Sequence, residues 1–356
     1  MERELKAACY LPGSETTTLD HLAPLANILD IPLVITDSDL LKVAKKFYPQ
    51  TKTLLFQKES DSLEFLSKNQ DLVFISCKNW GKDLSQTLKL IYQRSPRFCY
   101  TPHGNSDKGW QKGQNDPLLN QDLTLVYGDL MLSMLKERGV LQSLKGHEIC
   151  GNFRAHFFEK NIKFYKQIID KNFKNLSNHN KTLLFAPTWE DTEKSSSFFL
   201  ATHRLIKNLP SHYNLIIKLH PHTLENELCQ LSLIEAACHE KPNAIVLYDF
   251  PTIYPLCSFV DAYIGDLSSI GYDFLYFDKP MYFFKVTPSL QARSFYLFDC
   301  GIELELNEKI YQQIDKTIDQ SHLSELRSFR YQEAFNPKIC YEKMKENLFE
   351  KIINDF

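Results

Sequence analysis

Histidines and serines directly follow three apolar runs in this chain, at Thr101-Pro-His-Gly104, Lys218-Leu-His-Pro-His222 and Ile264-Gly-Asp-Leu-Ser-Ser269. In an open α/β sheet, ligands bind just beyond the carboxyl ends of the strands, so three such endings outline one site. Ser268 and Ser269 precede a helix-like segment, which offers two hydroxyls and unpaired N–H groups to a phosphate; the plainer reading is an ordinary N-cap. Asp266 stands in the same loop and is grouped with the phosphate-binding residues. His220, placed before Pro221, suits a diphosphate or the charge of a leaving group, with His222 a weaker candidate. His103 suits a general base acting on an acceptor hydroxyl, and Gly104 removes a side chain so that substrate can approach. Asn105 continues that loop as a substrate-proximal residue. For both histidines the bland alternative is an imidazole satisfied by solvent or backbone.

Further candidates lie at the ends of two other apolar runs. Arg154, in Gly151-Asn-Phe-Arg154, offers a phosphate clamp or a structural arginine. Thr188, after the run ending at Ala186, suits a phosphate, and Trp189 a ligand-lining or core position. Glu190 and Asp191 form an acidic pair that reads as solvated. No metal ligands are expected and no cofactor is implied; a divalent ion has no supporting motif. A GxGxxG fingerprint, a P-loop and a GxSxG elbow are all absent, which weighs against dehydrogenase, P-loop kinase and serine-hydrolase chemistry.

The elements that must hold these residues alternate in type. Strands are expected at 31–35, 72–76, 98–101, 123–127 and 147–150, then at 182–186, 214–219, 244–248, 261–265 and 281–284. Helices are expected at 19–29, 83–94, 129–139, 197–208, 223–239, 252–258 and 268–277. This is a βα repeat, so the fold class is α/β with two Rossmann-like domains facing a cleft. The boundaries read as 1–158 for an acceptor domain, 159–181 for a Lys- and Asn-rich linker, 182–305 for a nucleotide-donor domain and 306–356 for a helical tail. The helix-like part of the linker, residues 162–169, is expected to pack on the first domain.

Bulk properties agree. The 356 residues suit two cores; 43% are hydrophobic and 24% charged, and the aromatics, 25 Phe and 17 Tyr among them, fit large interiors. A net charge of −3 gives no field for nucleic acid. The nine scattered cysteines include no CxxC pair and point to a reducing compartment. No apolar run reaches the roughly 18 residues of a membrane span, so a cytoplasmic protein is expected, with peripheral contact at the inner membrane face left open. Phe157, Phe158, Phe198 and Phe199 read as core, the alternative being a membrane- or partner-facing patch.

In order, Thr101-Pro-His-Gly104, Gly151-Asn-Phe-Arg154, Leu184-Phe-Ala-Pro-Thr-Trp-Glu-Asp191, Lys218-Leu-His-Pro221, Gly265-Asp-Leu-Ser-Ser269 with Tyr272-Asp273, and Lys279-Pro280 resemble the CDP-glycerol glycerophosphotransferases, makers of teichoic acids and related polymers. The resemblance spans roughly residues 97 to 285. It implies a GT-B-like enzyme in which His103 is the base and His220, Ser268 and Ser269 hold the donor diphosphate. Two positions depart from the family pattern: Asn105 where Thr is usual, and Gly265-Asp-Leu-Ser-Ser269 where Thr-Asp-Tyr-Ser-Ser is usual. The first 95 residues read as part of the Rossmann-like domain, with no basic amphipathic helix, so a processive wall polymerase is not expected. The implied function is transfer of a phospho-alditol group from a CDP-activated donor to a glycan or lipid-linked acceptor. The alternatives are a GT-B glycosyltransferase, a nucleotide-sugar epimerase and a catalytically silent binding protein.

Overall fold

Apolar runs and longer amphipathic segments alternate because the chain builds two parallel β-sheets, each needing a crossover helix between successive strands. The computed structural model describes residues 5–77, 80–106, 116–190, 196–284, 296–336 and 339–354. It divides into two compact units. The first holds the chain up to His103, residues 116–160 and the segment from Gln332 onward; the second holds residues 104–106 and 161–331.

The first unit runs β1 (Ala7–Leu11), α1 (Thr16–Ile28), β2 (Leu33–Ile35), α2 (Ser38–Phe47), β3 (Thr53–Leu55), α3 (Glu59–Asn69), β4 (Leu72–Ile75), α4 (Trp80–Tyr92), β5 (Arg97–Tyr100), β6 (Leu123–Val126), α5 (Asp129–Glu137), β7 (His147–Ile149) and α6 (Phe153–Lys160). Its seven strands lie in the order β3-β2-β1-β4-β5-β6-β7, all pairs parallel. The order reverses between β1 and β4, the switch point of a Rossmann sheet. β1, β2, β4 and β6 are buried at every position, as befits strands covered on both faces. Asp37 caps α2 by accepting from the Leu40 N–H at 2.6 Å, and Gly139 (φ 69°) ends the turn after α5. α1 is buried continuously from Leu19 to Ala26, and that run includes Asp20 and His21.

The second unit runs α7 (Ile162–Phe173), β8 (Lys181–Ala186), α8 (Phe198–Lys207), β9 (Tyr213–Lys218), α9 (Pro221–Asn226), α10 (Leu228–His239), β10 (Ala244–Leu247), α11 (Ile253–Phe259), β11 (Ala262–Gly265), α12 (Ser269–Phe274), β12 (Met281–Phe284), β13 (Ile302–Leu304), α13 (Ile310–Asp315) and most of α14 (Ser324–Phe335). The strand order β10-β9-β8-β11-β12-β13 is again parallel throughout, with its switch point between β8 and β11. Leu183, Phe185, Leu215, Ile217 and Ile264 pack from the strands against Ala201, Leu205 and Ile234 of the helices.

The expected α/β class with two Rossmann-like sheets is present. Three short strands beyond those expected, β1, β3 and β13, extend the sheets. Residues 159–181 are not a linker in form. Tyr165, Ile169 and Phe173 make a buried i, i+4, i+8 stripe on α7, and Phe173 stacks on Phe259 at 5.0 Å between centroids. That helix therefore belongs with α11 of the second unit and not, as expected, with the first. The tail also differs from an independent segment. From Gln332 it rejoins the first unit, where α15 (Tyr341–Asn354) sends Lys345 to the Leu29 carbonyl at 2.5 Å and Lys351 to the His147 carbonyl and the Glu148 carboxylate. All nine cysteines are free thiols. Phe157, Phe158 and Phe198 are buried, whereas Phe199 is exposed. Among the described residues, no helix is long and apolar enough to cross a membrane.

Candidate functional site

In the second unit the loops after β8, β9 and β11 carry the candidates, and these three strands are neighbours in the sheet. Ser268 occupies the N-cap position of α12 with extended backbone, yet its hydroxyl makes no capping bond. Instead Ser268 Oγ lies 3.1 Å from Tyr263 Oη. Tyr263 is fully buried, and burial pushes its phenol far above the ordinary range, so it keeps its proton and can donate. Ser268 and Ser269 are half-buried.

Tyr263 also explains the glycine at 265. A Cβ there would stand 2.1 Å from Tyr263 Oη and 2.4 Å from its Cζ. The phenol thus fills the space that a side chain at 265 would need. Gly265→Thr should destabilise the protein by about 1–3 kcal/mol, the usual result of overpacking. Pairing it with Tyr263→Val should recover most of the loss, as read by denaturant unfolding.

Asp266 does not face a phosphate. It is wholly buried, and its Oδ2 accepts from the N–H groups of Thr188 (2.9 Å) and Ser197 (3.0 Å). A buried carboxylate whose Oδ2 takes both amides holds the two ends of the β8–α8 loop together, whereas beside a diphosphate it would repel. Ser196 Oγ closes the same loop by donating to the Thr188 carbonyl at 2.6 Å. Thr188 is accordingly buried. Next to it, Trp189 is 38% exposed and meets the rings of His222 (5.0 Å) and His220 (6.1 Å). His220 caps α9, its Nδ1 accepting from the His222 N–H at 3.2 Å. That bond places the neutral ring's proton on Nε2. Lys218 donates to the Phe250 carbonyl at 2.9 Å. Lys279, also in a quoted motif, is structural: its ammonium donates to the carbonyls of Ser258 (2.7 Å) and Val260 (2.6 Å) at the end of α11.

Gly104 and Asn105 fall in the second unit too. Gly104 has φ 112°, and a Cβ there would lie 2.2 Å from the Ser269 Cβ. Glycine is needed here for the backbone angle and for the close approach to Ser269. Asn105, expected beside the substrate, is only 3% exposed and anchors the start of the loop. Residues 107–109 of that loop, and Asp191, lie outside the described residues. Glu190 is exposed, and no group of three or more potential metal ligands occurs among the described residues.

In the first unit His103 is exposed at the end of β5, with its Nδ1 3.4 Å from Tyr100 Oη. Beneath it lies a polar cluster that the sequence does not announce. His21 sits edge-on to the His103 ring at 6.4 Å. Arg154 Nη1 is 3.3 Å from each ring nitrogen of His21, and Arg154 Nη2 is 3.4 Å from Asp20 Oδ2. Tyr48 Oη donates to Asp20 Oδ1 at 2.5 Å, and Tyr127 Oη donates to the Pro102 carbonyl at 2.8 Å. Arg154 is 4% exposed and paired with a carboxylate. It stands in the interior of its unit, which fits the structural arginine of the two readings and not the phosphate clamp. His21 is held well below the ordinary imidazole pKa, first by burial and then by Arg154 and His103. The readable signal is Asp20-His21 within the otherwise apolar run Leu19–Ala26, since adjacent buried ionisable groups require partners.

The model of the family described as CDP-glycerol:poly(glycerophosphate) glycerophosphotransferase matches residues 158–338, half of the chain. The chain belongs to this family. The match contains Thr188, Trp189, His220, Asp266, Ser268 and Ser269 of this glycerophosphotransferase family member, while His103 and Arg154 lie before it. It is a transferase of the CDP-glycerol glycerophosphotransferase type, acting in cell-envelope glycan synthesis with a nucleotide-activated donor. Among solved structures, the wall teichoic acid polymerase TagF is similar over 99% of this chain and 90% of its own, at 14% identity and TM-score 0.69. MnaA of S. aureus with UDP is similar over 98% and 96%, at 14% identity and TM-score 0.59. Anabaena Alr3699/HepE with UDP-glucose is similar over 99% and 100%, at 11% identity and TM-score 0.56. At such identities the likeness is one of fold. No curated protein sequence matches the chain significantly.

Proposed function

We propose that this family member transfers a glycerol-phosphate-like group from its CDP-activated donor to a hydroxyl of a glycan or lipid-linked acceptor at the cytoplasmic face of the membrane, with His103 as base and Ser268, Ser269 and His220 holding the diphosphate. The observation that carries the donor side is the hydroxyl of Ser268. It stands at a helix start beyond a switch-point strand, turned away from capping and held by Tyr263. Nucleotide diphosphates accompany two fold relatives, as UDP and as UDP-glucose, which supports a diphosphate ligand at this switch point. In the reaction the acceptor oxygen forms a bond to the phosphorus nearer the transferred group. The P–O bond to the bridging oxygen breaks and CMP leaves with that oxygen. His103 takes the acceptor proton on Nε2, which requires Nδ1–H to donate to Tyr100 Oη. Phosphoryl transfer of this kind needs alignment and charge stabilisation more than covalent help. Both bonds exchanged are phosphate esters or anhydrides, so no organic cofactor is required.

Calorimetric titration with CDP tests the donor reading. The protein should bind CDP more tightly than UDP. Hydrogen bonds to charged groups contribute about 1.5–3 kcal/mol each, so Ser268→Ala/Ser269→Ala should weaken CDP binding at least about tenfold. Unchanged affinity in that variant would remove the serines from the donor site.

A further inference from the structure

We propose that His21 and Tyr127 are positioning residues, links in a hydrogen-bond chain of fixed polarity that starts at the Arg154 guanidinium, itself paired with Asp20, and ends on the peptide carbonyl preceding His103. The assignment of His103 as base rests on the function proposed above; the chain itself does not.

Proton counting fixes the direction. Arginine only donates, so one nitrogen of His21 must accept from Arg154 Nη1. The Tyr127 hydroxyl has a single proton, and the Pro102 carbonyl, at 2.8 Å, can only accept it. The Tyr127 oxygen is then an acceptor towards His21 Nδ1 at 3.3 Å, so Nδ1 carries the imidazole proton. Nε2 is left to accept from Arg154, whose charge is balanced by Asp20. Tyr48 donates to the other carboxylate oxygen of Asp20. One arrangement of protons satisfies every link, running from Arg154 to His21, from His21 to Tyr127 and from Tyr127 to Pro102.

The burial of the chain makes this arrangement consequential. Asp20, His21, Tyr48, Tyr127 and Arg154 are all at most 7% exposed, so water does not compete for their bonds. The residue held at the end is the one directly before His103, at the point where β5 has finished and the backbone turns towards Gly104. The His21 ring also supports the His103 ring edge-on. α1, the residue directly after β6 and α6, which are far apart in sequence, thus converge on one loop, and a small error in that loop would misplace the imidazole. Displacements near 1 Å cost about a hundredfold in comparable settings.

Two measurements test this on the full-length protein. Long-range ¹⁵N–¹H correlation of the imidazoles, assigned with His21→Phe, should show His21 at pH 7.5 as the neutral Nδ1–H tautomer. An Nε2–H tautomer or an imidazolium would overturn the chain whatever His103 does. For the consequence, Tyr127→Phe should lower kcat ten- to hundredfold while the KM for the donor stays within about twofold. His21→Asn, which keeps a donor at the Nδ1 position, should recover much of the kcat that His21→Phe loses. If Tyr127→Phe leaves kcat within twofold of wild type, the positioning role is wrong. Failure of the base assignment looks different: His103→Asn would then turn over normally while the His21 tautomer stayed as predicted.

Discussion

Asparagine at position 103 should lower kcat by about 10²–10⁴-fold, the range that general acid–base catalysis contributes, with little change in CDP affinity. Asparagine retains the size and an N–H of the imidazole but has no basic nitrogen, so positioning is largely kept and proton abstraction is lost. His103 is exposed at the end of β5 with its Nδ1 against Tyr100 Oη, and in the tautomer whose Nδ1–H donates to Tyr100 the proposed base nitrogen is Nε2. Tyr100 is buried and its phenol is pushed up by desolvation, so it remains neutral across the working range. Initial rates of CMP release, compared with calorimetric CDP affinity, separate the two effects. Loss of CDP binding in the same proportion as kcat would place His103 in the donor site instead.

Breaking the buried pair beneath that histidine should produce the largest change in stability. Asp20→Ala leaves the Arg154 guanidinium buried without its carboxylate partner, a defect that typically costs about 3–5 kcal/mol. Arg154→Met leaves Asp20 in the same position with the opposite charge. The double variant Asp20→Leu/Arg154→Met should unfold at a denaturant concentration closer to wild type than either single variant, because a well-packed apolar pair offsets the lost ion pair. His21 adds a pH dependence of definite sign. Its folded-state pKa lies well below the ordinary value of 6.5, so below about pH 6.5 the unfolded chain binds the proton that the folded chain refuses. Stability should therefore fall as pH drops from 6.5, by up to about 1.4 kcal/mol per pH unit from this group alone. His21→Asn should flatten that slope, as urea unfolding between pH 5 and 7.5 would show. An unaltered slope would mean that His21 is not buried in its neutral form.

The strand ends were legible because a parallel sheet buried on both faces forces continuous apolar runs, and His103, His220 and Ser268 interrupt those runs abruptly. The same rule hides short edge strands. β3 and β13 have only three residues each and are partly exposed, so they carry no such run. Asp266 and Arg154 show that an acid or a guanidinium near a strand end is ambiguous on sequence alone. What resolves them is partners from distant segments: the Thr188 and Ser197 amides for Asp266, and α1 for Arg154. Gly265 shows the converse. It departs from the pattern of the family, and only the placement of the Tyr263 ring shows that the missing side chain has been replaced from two residues away. The linker reading of residues 159–181 failed for a related reason. Lysine and asparagine dominate its surface, while the three residues that pack, Tyr165, Ile169 and Phe173, are spaced one turn apart among them.

The most direct measurement incubates the protein with CDP-glycerol and a glycerol-phosphate-primed acceptor and identifies the nucleotide released by chromatography. The account predicts CMP, formed in step with acceptor extension and absent with His103→Asn, because the bond broken is the P–O bond to the bridging oxygen. Release of CDP, or turnover of a UDP-sugar with none of CDP-glycerol, would contradict it and move the attack from phosphorus to carbon.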